Sequence, residues 1–97
     1  MGGDTPRTPT PYRVRHIRPK AERYIKSLSP KMQRRIDQAM QKICHNPFRN
    51  RHPLHIRQLR GELEGLFEYR GIHSIRIIYE VFEEEQEIEI LKVVPHL

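Results

Sequence analysis

The chain of 97 residues is long enough for one small domain, and an apolar content of 36% without tryptophan suits a thin core. No apolar run approaches the ~20 residues that a bilayer-spanning helix needs, and the first ten residues lack the features of a signal peptide, so we expect no membrane segment and no export. The single cysteine, Cys44, has no partner for an internal disulfide, which favours the reducing cytoplasm.

Positive charge is concentrated in the first part of the chain. Residues 1–60 contain 15 lysines and arginines against three acidic residues, whereas residues 61–97 contain three against nine glutamates. A part this basic is typical of proteins that bind polyanions, because lysine and arginine displace counterions from phosphates. A well-solvated small protein could show the same imbalance, so charge alone leaves both interpretations open.

The N-terminal part predicts a tail followed by a strand. Residues 1–11 are rich in glycine and proline with almost nothing apolar, so we expect a disordered tail before a single domain of residues 12–97. Residues 12–17 (YRVRHI) alternate between apolar and basic side chains, which predicts a first strand. The alternation assigns one face to Tyr12, Val14 and His16 and the other to Arg13 and Arg15.

Two amphipathic helices are predicted next. Pro19 suits the first turn of one helix, and Ser29 with Pro30 suits the N-cap and first position of another. Asn46-Pro47 should end the second helix. Because the connection between them is short, the helices should form an αα-hairpin. The second helix should bury a stripe of residues at helical spacing: Met32, Ile36, Ala39, Met40 and Ile43.

The remainder of the chain predicts a loop and then strands. Residues 47–55 read as a basic loop between prolines, and residues 65–70, 74–82 and 87–94 alternate as strands do. An acidic turn at residues 83–86 and other short connections make these three strands an antiparallel meander. The predicted fold class is α+β: an N-terminal strand, the αα-hairpin and the meander, with both helices on one face of the sheet.

Three segments carry a resemblance to a known family. They are the Asn46-Pro47-Phe48 turn after the helices, the stretch from Gln58-Leu59-Arg60-Gly61 to the GLFEYR segment at residues 65–70, and the IRIIYEV strand at residues 75–81. In this order they resemble the RelE/ParE toxins of type II toxin–antitoxin systems. The resemblance extends from Tyr12 to the C-terminus and rests on the ordered set, since no single segment is diagnostic.

The resemblance implies a function and partners. Many RelE-type toxins cleave messenger RNA in the ribosomal A site without a metal, whereas ParE-type toxins inhibit DNA gyrase. An antitoxin binds the toxin and covers its active face. The resemblance therefore favours an mRNA endonuclease whose partners are an antitoxin, mRNA and the ribosome, with a gyrase inhibitor as the alternative. The histidines show no metal-ligand spacing, so we expect no metal and no other cofactor.

Strand alternation groups the candidate site residues. If the aromatic residues of the meander face the helices, the residues that face away together are Glu68, Arg70, Arg76 and Glu80. Arg76 matches the arginine that RelE-type toxins use to hold the scissile phosphate, and an arginine suits this role because it binds phosphate with two parallel hydrogen bonds. On the last strand, alternation groups Ile88, Ile90, Lys92, Val94 and His96, and we assign this group to the same face as Arg76. The predicted catalytic residues are Arg76, Arg70 and His96, and the predicted RNA-binding residues are Arg57, Arg60 and Lys92.

Simpler interpretations of the same residues stay open. Arg76 could be a structural ion-pair partner of Glu68 or Glu80, and His96 could be an exposed residue near the chain end. The family commonly has an arginine directly after that histidine, whereas this chain has Leu97. A family member that binds an antitoxin or nucleic acid but no longer cleaves RNA is therefore a third hypothesis.

Overall fold

The computed structural model describes residues 11–48 and 55–95. The regular elements, in chain order, are β1 (Arg13–Ile17), α1 (Pro19–Lys26), α2 (Pro30–His45), β2 (Ile56–Gln58), a 3₁₀ turn (Gly61–Leu63), β3 (Leu66–Ile72), β4 (Ile75–Phe82) and β5 (Glu87–Pro95). The strands form one sheet in the order β1-β5-β4-β3-β2, in which β1 runs parallel to β5 and all other neighbours are antiparallel.

The helices begin and end where the sequence predicts. The Ser29 hydroxyl accepts a hydrogen bond from the Met32 backbone N–H at 3.2 Å, which caps α2, and Pro30 occupies its first turn. α2 ends at His45, directly before Asn46-Pro47. Its buried residues are Ile36, Ala39 and Ile43, with Met32 and Met40 partly buried beside them, so the predicted stripe is confirmed.

Both helices pack on one face of the sheet, which confirms the α+β fold. α1 lies against β5, and α2 lies against β3 and β1. The core between the layers is built from isoleucines, two tyrosines and one valine of the sheet, with Ala21 of α1 and the buried stripe of α2 opposite them. The sheet residues of this core are Ile56, Tyr69, Ile72, Ile75, Ile77, Tyr79, Ile88, Ile90 and Val93. The other face of the sheet carries no helix among the described residues; we call it the open face.

The sheet has one strand more than the sequence analysis expected. Residues 56–58 form β2, a three-residue edge strand paired with β3 in the register Ile56–Tyr69 and Arg57–Glu68. A strand of three residues is too short to show a clear alternation, and it was therefore not predicted from the sequence. Its pairing matters because it puts Arg57 beside Glu68.

Two β-bulges correct the predicted strand faces. In β5, Tyr79 pairs with Ile90 but Ile78 pairs with Lys92, so Leu91 is an extra residue and the alternation reverses there. Ile88 and Ile90 are therefore fully buried against the helices, contrary to the prediction, while Lys92 and Val94 remain on the open face.

The bulge in β1 lies between Val14 and His16 and has the same effect. Val14 and Ile17, rather than Val14 and His16, pack against the core, and His16 is exposed. Alternation counted along the sequence cannot detect an inserted residue, so both assignments were wrong on one side of the bulge.

The turn after α2 is fixed to the middle of the sheet. Pro47 is buried, and its carbonyl accepts a 2.6 Å hydrogen bond from the Tyr79 hydroxyl on β4. Phe48 stacks edge-on against Phe67 of β3. The turn that carried the first part of the family resemblance thus holds the end of α2 against the sheet.

Three predictions concern residues that lie wholly or partly outside the described ranges. The disordered tail falls there except for Pro11, and so does His96, as does most of the basic loop at residues 49–54. Within the described ranges, neither helix has the length and apolar character needed to cross a bilayer.

Candidate functional site

The open face carries a cluster of three arginines around one buried carboxylate. Glu68 of β3 is only 1% exposed, and its oxygens lie near arginines from three strands. We call this group the arginine cluster; it consists of Arg57 of β2, Arg70 of β3, Arg76 of β4 and the central Glu68.

The three contacts differ in length. The Arg76 Nη1 donates a 2.7 Å hydrogen bond to Glu68 Oε2. The Nε atoms of Arg57 and Arg70 lie 3.2 Å and 3.6 Å from Glu68 Oε1. Oε1 accepts no hydrogen bond from the described residues, so only Oε2 is engaged by a well-formed one.

Sheet register brings these side chains together. Arg57 lies directly opposite Glu68, and Glu68 lies opposite Ile78, two residues along β4 from Arg76. Since side chains two residues apart share a face, Arg76 points to the same side as Ile78 and reaches Glu68 diagonally. Arg70 is two residues from Glu68 on β3, next to an irregularity between Tyr69 and Ile72.

The electrostatics of the cluster favour an anion. Three guanidinium groups and one carboxylate leave a formal charge of +2. Burying the Glu68 carboxylate carries a desolvation penalty that the surrounding positive charges offset. The Arg57 side chain remains 59% exposed, so the cluster faces solvent and can receive a ligand. Among the described residues it is the place where the open face concentrates positive charge.

Two other predicted residues, Lys92 and Arg60, lie outside the arginine cluster. Lys92 is exposed on β5, across from Ile78, and therefore lies on the open face beside the cluster. Arg60 lies after β2, exposed beside a shallow concave surface with Glu64, and forms no ion pair with a described residue. Arg76 pairs with Glu68 and not with Glu80, which pairs across strands with Leu66 and Glu89. The proposed roles of these residues in RNA binding and cleavage stay predictions.

At the opposite end of the open face, two glutamates of β5 pair with arginines of β1 and with Arg18, which directly follows β1. Glu87 lies 2.9 Å from Arg13 and 3.6 Å from Arg15, and Glu89 lies 3.3 Å from Arg18. The Arg15 guanidinium also stacks over the Phe82 ring at 3.8 Å. The basic residues of β1 thus secure the parallel β1–β5 pair and do not extend the arginine cluster.

Glu68 is the site residue that sequence reasoning underrated. Alternation grouped it with Arg70 and Arg76, but Glu68 was considered only as a structural ion-pair partner of Arg76. A glutamate within the apolar-aromatic segment GLFEYR was the available signal, because a carboxylate is almost never fully buried unless it is paired. Arg70 on β3 and Arg76 on β4 have the same strand alternation as Glu68, which indicated them as partners of its carboxylate.

Buried titratable groups outside the cluster have no part in this site. Burial, together with the neighbouring Tyr69 and Cys44, raises the pKa of Tyr79 far above its usual range. Burial also raises the pKa of Tyr69 and of the Cys44 thiol. Tyr69 and Tyr79 lie in the core between the sheet and the helices, and Cys44 of α2 is partly buried and packs against that core as a small apolar residue. Within the described ranges no histidines, cysteines and acidic residues are grouped as a metal site requires.

The fold and the cluster define a class of protein, and comparison with known families agrees. The family model described as the ParE toxin of the type II toxin–antitoxin system, parDE, matches residues 12–97. The chain therefore belongs to this family of toxins, as the sequence resemblance indicated. None of the curated protein sequences matches it.

Solved structures share the fold. The toxin–antitoxin complex RelBE2 from Mycobacterium tuberculosis is 25% identical, with a TM-score of 0.76 over 91% of this chain and 94% of that chain. The archaeal RelE–RelB complex from Pyrococcus horikoshii is 27% identical, with a TM-score of 0.72 over 89% and 96%. The YoeB/ParE toxin from Agrobacterium tumefaciens, 18% identical with a TM-score of 0.70 over 89% and 99%, shares the fold alone.

Proposed function

We propose that this toxin is a ribosome-dependent endonuclease that cleaves messenger RNA without a metal, using the open face of its sheet. The arginine cluster is the observation that carries the proposal. It offers guanidinium groups from three strands within reach of one carboxylate, so a single phosphate could contact several of them.

The cleavage chemistry requires this kind of charge. The RNA 2′-oxygen forms a bond to the adjacent phosphorus, the bond from phosphorus to the 5′-oxygen breaks, and the products end in a cyclic phosphate and a 5′-hydroxyl. One group accepts the 2′-hydroxyl proton and another donates a proton to the leaving oxygen. Arg76 and Arg70 would stabilise the extra negative charge that develops on the phosphate. His96 is our candidate for a proton-transfer role, and Lys92, Arg57 and Arg60 would contact the flanking phosphates.

The proposed partners follow from the same family. The M. tuberculosis and P. horikoshii relatives are toxin–antitoxin complexes, so we propose that an antitoxin binds this chain and covers the open face. A cytoplasmic location fits partners of this kind, since ribosomes and messenger RNA are there.

The decisive experiment measures mRNA cleavage on programmed ribosomes by wild type and Arg76→Ala. Losing one charge-stabilising donor should lower the cleavage rate by ~10²–10³. Arg76→Lys should recover only part, because an ammonium group lacks the planar fork of donors. Arg13→Ala is the matched control, since it removes another paired arginine near the far end of the sheet and should cleave normally.

The melting temperature of each variant must be measured in parallel, because Arg76 contributes to the stability of the fold as well as to the site. Its partner is buried, so Arg76→Ala leaves Glu68 with two arginines and should cost stability as well. The double variant Arg76→Ala/Glu68→Gln removes both charges and should restore part of the melting temperature but none of the activity. A folded Arg76→Ala that cleaves like wild type would refute the catalytic role, and normal translation at high expression of wild type would refute the proposed function.

A second candidate function is inhibition of DNA gyrase. The observation that favours it is the matching family model, whose description is that of a ParE toxin. Gyrase supercoiling and translation should be measured with the same preparation. Inhibition of supercoiling at stoichiometric protein with translation intact would favour the gyrase inhibitor, whereas the reverse result would favour the endonuclease. Inhibition of neither would favour the family member that only binds its partners.

A further inference from the structure

The centre of the arginine cluster is occupied by a negative charge, which by itself weakens the binding of an anion. Glu68 is almost completely buried, and its negative charge neutralises one of the three positive charges around it. A buried carboxylate is costly to keep unless it is paired. A site selected only for attracting RNA would do better with an uncharged residue at this position, so Glu68 needs another explanation.

We propose that Glu68 is the positioning residue of this site: it holds the guanidinium groups of Arg57, Arg70 and Arg76 in place for a phosphate of the RNA backbone. The proposal deepens the proposed function and rests on it for the identity of the phosphate. The Glu68 carboxylate weakens the attraction of the cluster for RNA, but it fixes the positions of the guanidinium groups. Transition-state stabilisation requires such a fixed geometry.

The contacts of Arg76 support this role. Its Nε atom is buried without a hydrogen-bond partner among the described residues, so the 2.7 Å hydrogen bond to Glu68 is the polar contact that orients its guanidinium. Long arginine side chains have many accessible rotamers, and three like charges at close range repel one another. Without the Glu68 carboxylate, Arg76 would lose that hydrogen bond and the three side chains would move apart.

The surroundings of Glu68 also argue against a direct chemical role. Its carboxylate is enclosed by guanidinium groups at 2.7, 3.2 and 3.6 Å, and its side chain is 1% exposed. An RNA 2′-hydroxyl cannot approach the oxygens as closely as proton transfer requires without displacing these arginines. Glu68 therefore acts through the arginines and does not accept the proton itself.

Glu68→Gln tests the proposal because charge and geometry predict opposite effects. The substitution removes the negative charge of the cluster and so raises its net positive charge, and a short single-stranded RNA should therefore bind as tightly as to wild type or more tightly. The cleavage rate constant at saturating ribosomes should fall by ~10²-fold, since a displacement of about 1 Å in a catalytic group can cost that much. Glu89→Gln, which removes a paired carboxylate elsewhere on the open face, is the matched control and should change neither quantity.

Arginine NMR signals provide a readout that does not depend on cleavage. In wild type the Nε–H signals of Arg57, Arg70 and Arg76 should be dispersed and should shift together when the short RNA is added. In Glu68→Gln they should move toward the signals of solvated arginines. The pH dependence of the cleavage rate should keep its shape in Glu68→Gln, whereas loss of a titrating limb would identify Glu68 as a proton acceptor and overturn the proposal.

The outcomes separate this proposal from the proposed function. If wild type cleaves no RNA, the endonuclease function fails, and the NMR signals still decide whether Glu68 positions the arginines. If Glu68→Gln is folded and retains both its cleavage rate and its arginine signals, the positioning role is wrong although the function stands. Should Glu68→Gln not fold, Glu68→Asp replaces it: a shorter carboxylate should keep RNA affinity and lose part of the cleavage rate, and an unchanged rate would overturn the proposal.

Discussion

Tyr79 links the sheet to the end of α2 through one buried hydrogen bond. Its hydroxyl donates to the Pro47 carbonyl at 2.6 Å, and its ring is stacked beside Phe67. Removing the hydroxyl leaves a buried carbonyl without that partner, and such a group costs ~1–3 kcal/mol. Tyr79→Phe should therefore lower the free energy of unfolding by this amount, measured by urea denaturation. Tyr24→Phe on α1 is the control and should have a smaller effect.

Tyr79 also makes the free energy of unfolding depend on pH in the alkaline range. Burial raises the pKa of Tyr79 in the folded protein above the value near 10 that it has when unfolded. Its stabilising contribution is therefore complete below about pH 10 and is lost as the pH rises further, because the unfolded chain then loses a proton that the folded chain keeps. Between pH 10 and 11 wild type should lose up to ~1.4 kcal/mol more stability than Tyr79→Phe. Parallel loss in both proteins would contradict the assignment.

At the scale of the element, α2 depends on its first turn. Ser29 supplies the N-cap and Pro30 the first helical residue, and no acidic residue in the first turn adds to the cap. Ser29→Ala should cost ~1 kcal/mol, because the Met32 N–H loses its acceptor. Ser29→Asp should restore stability, since a carboxylate both accepts this hydrogen bond and interacts favourably with the helix dipole. Thermal melting of the two variants tests this, and equal destabilisation would show that the cap is not the cause.

At the scale of the whole molecule, the open face has two ends of opposite charge. The arginine cluster lies near the start of β4, and the glutamates of the β4–β5 turn lie past its end. Six residues of extended strand separate Arg76 from Phe82, about 20 Å. Salt screens charges over ~8 Å at 0.15 M but only over ~30 Å at 0.01 M, so the acidic turn should oppose RNA binding mainly at low salt.

Replacing Glu83, Glu84 and Glu85 by glutamine tests this separation. At 0.01 M salt the variant should bind a short RNA more tightly than wild type, whereas at 0.15 M the two affinities should nearly coincide. Fluorescence anisotropy over a salt series measures both. The cleavage rate at saturation should not change, because the turn does not contact the cluster. A large change at 0.15 M would mean that RNA extends across the entire open face.

The amino-acid sequence was sufficient to predict both helices, four of the five strands and most of the core. Helix boundaries were predictable from Ser29-Pro30 and Asn46-Pro47 because capping and proline geometry are local. The meander was predictable because its alternation is regular over residues 74–82 and its connections are short. The pairing of Glu68, Arg70 and Arg76 on one face also followed from alternation, since it needs only a count of residues.

The strand faces and the composition of the arginine cluster required the folded sheet. The bulge at Leu91 reverses the alternation of faces along β5. The sequence of one strand cannot show that a residue has no partner on the neighbouring strand, so this reversal was not predictable. Arg57 joined the cluster because β2 pairs with β3, a contact between separate segments that neither segment encodes alone. The burial of Glu68 depends on all three arginines at once, so its place at the centre of the site emerged only when the sheet brought three strands together.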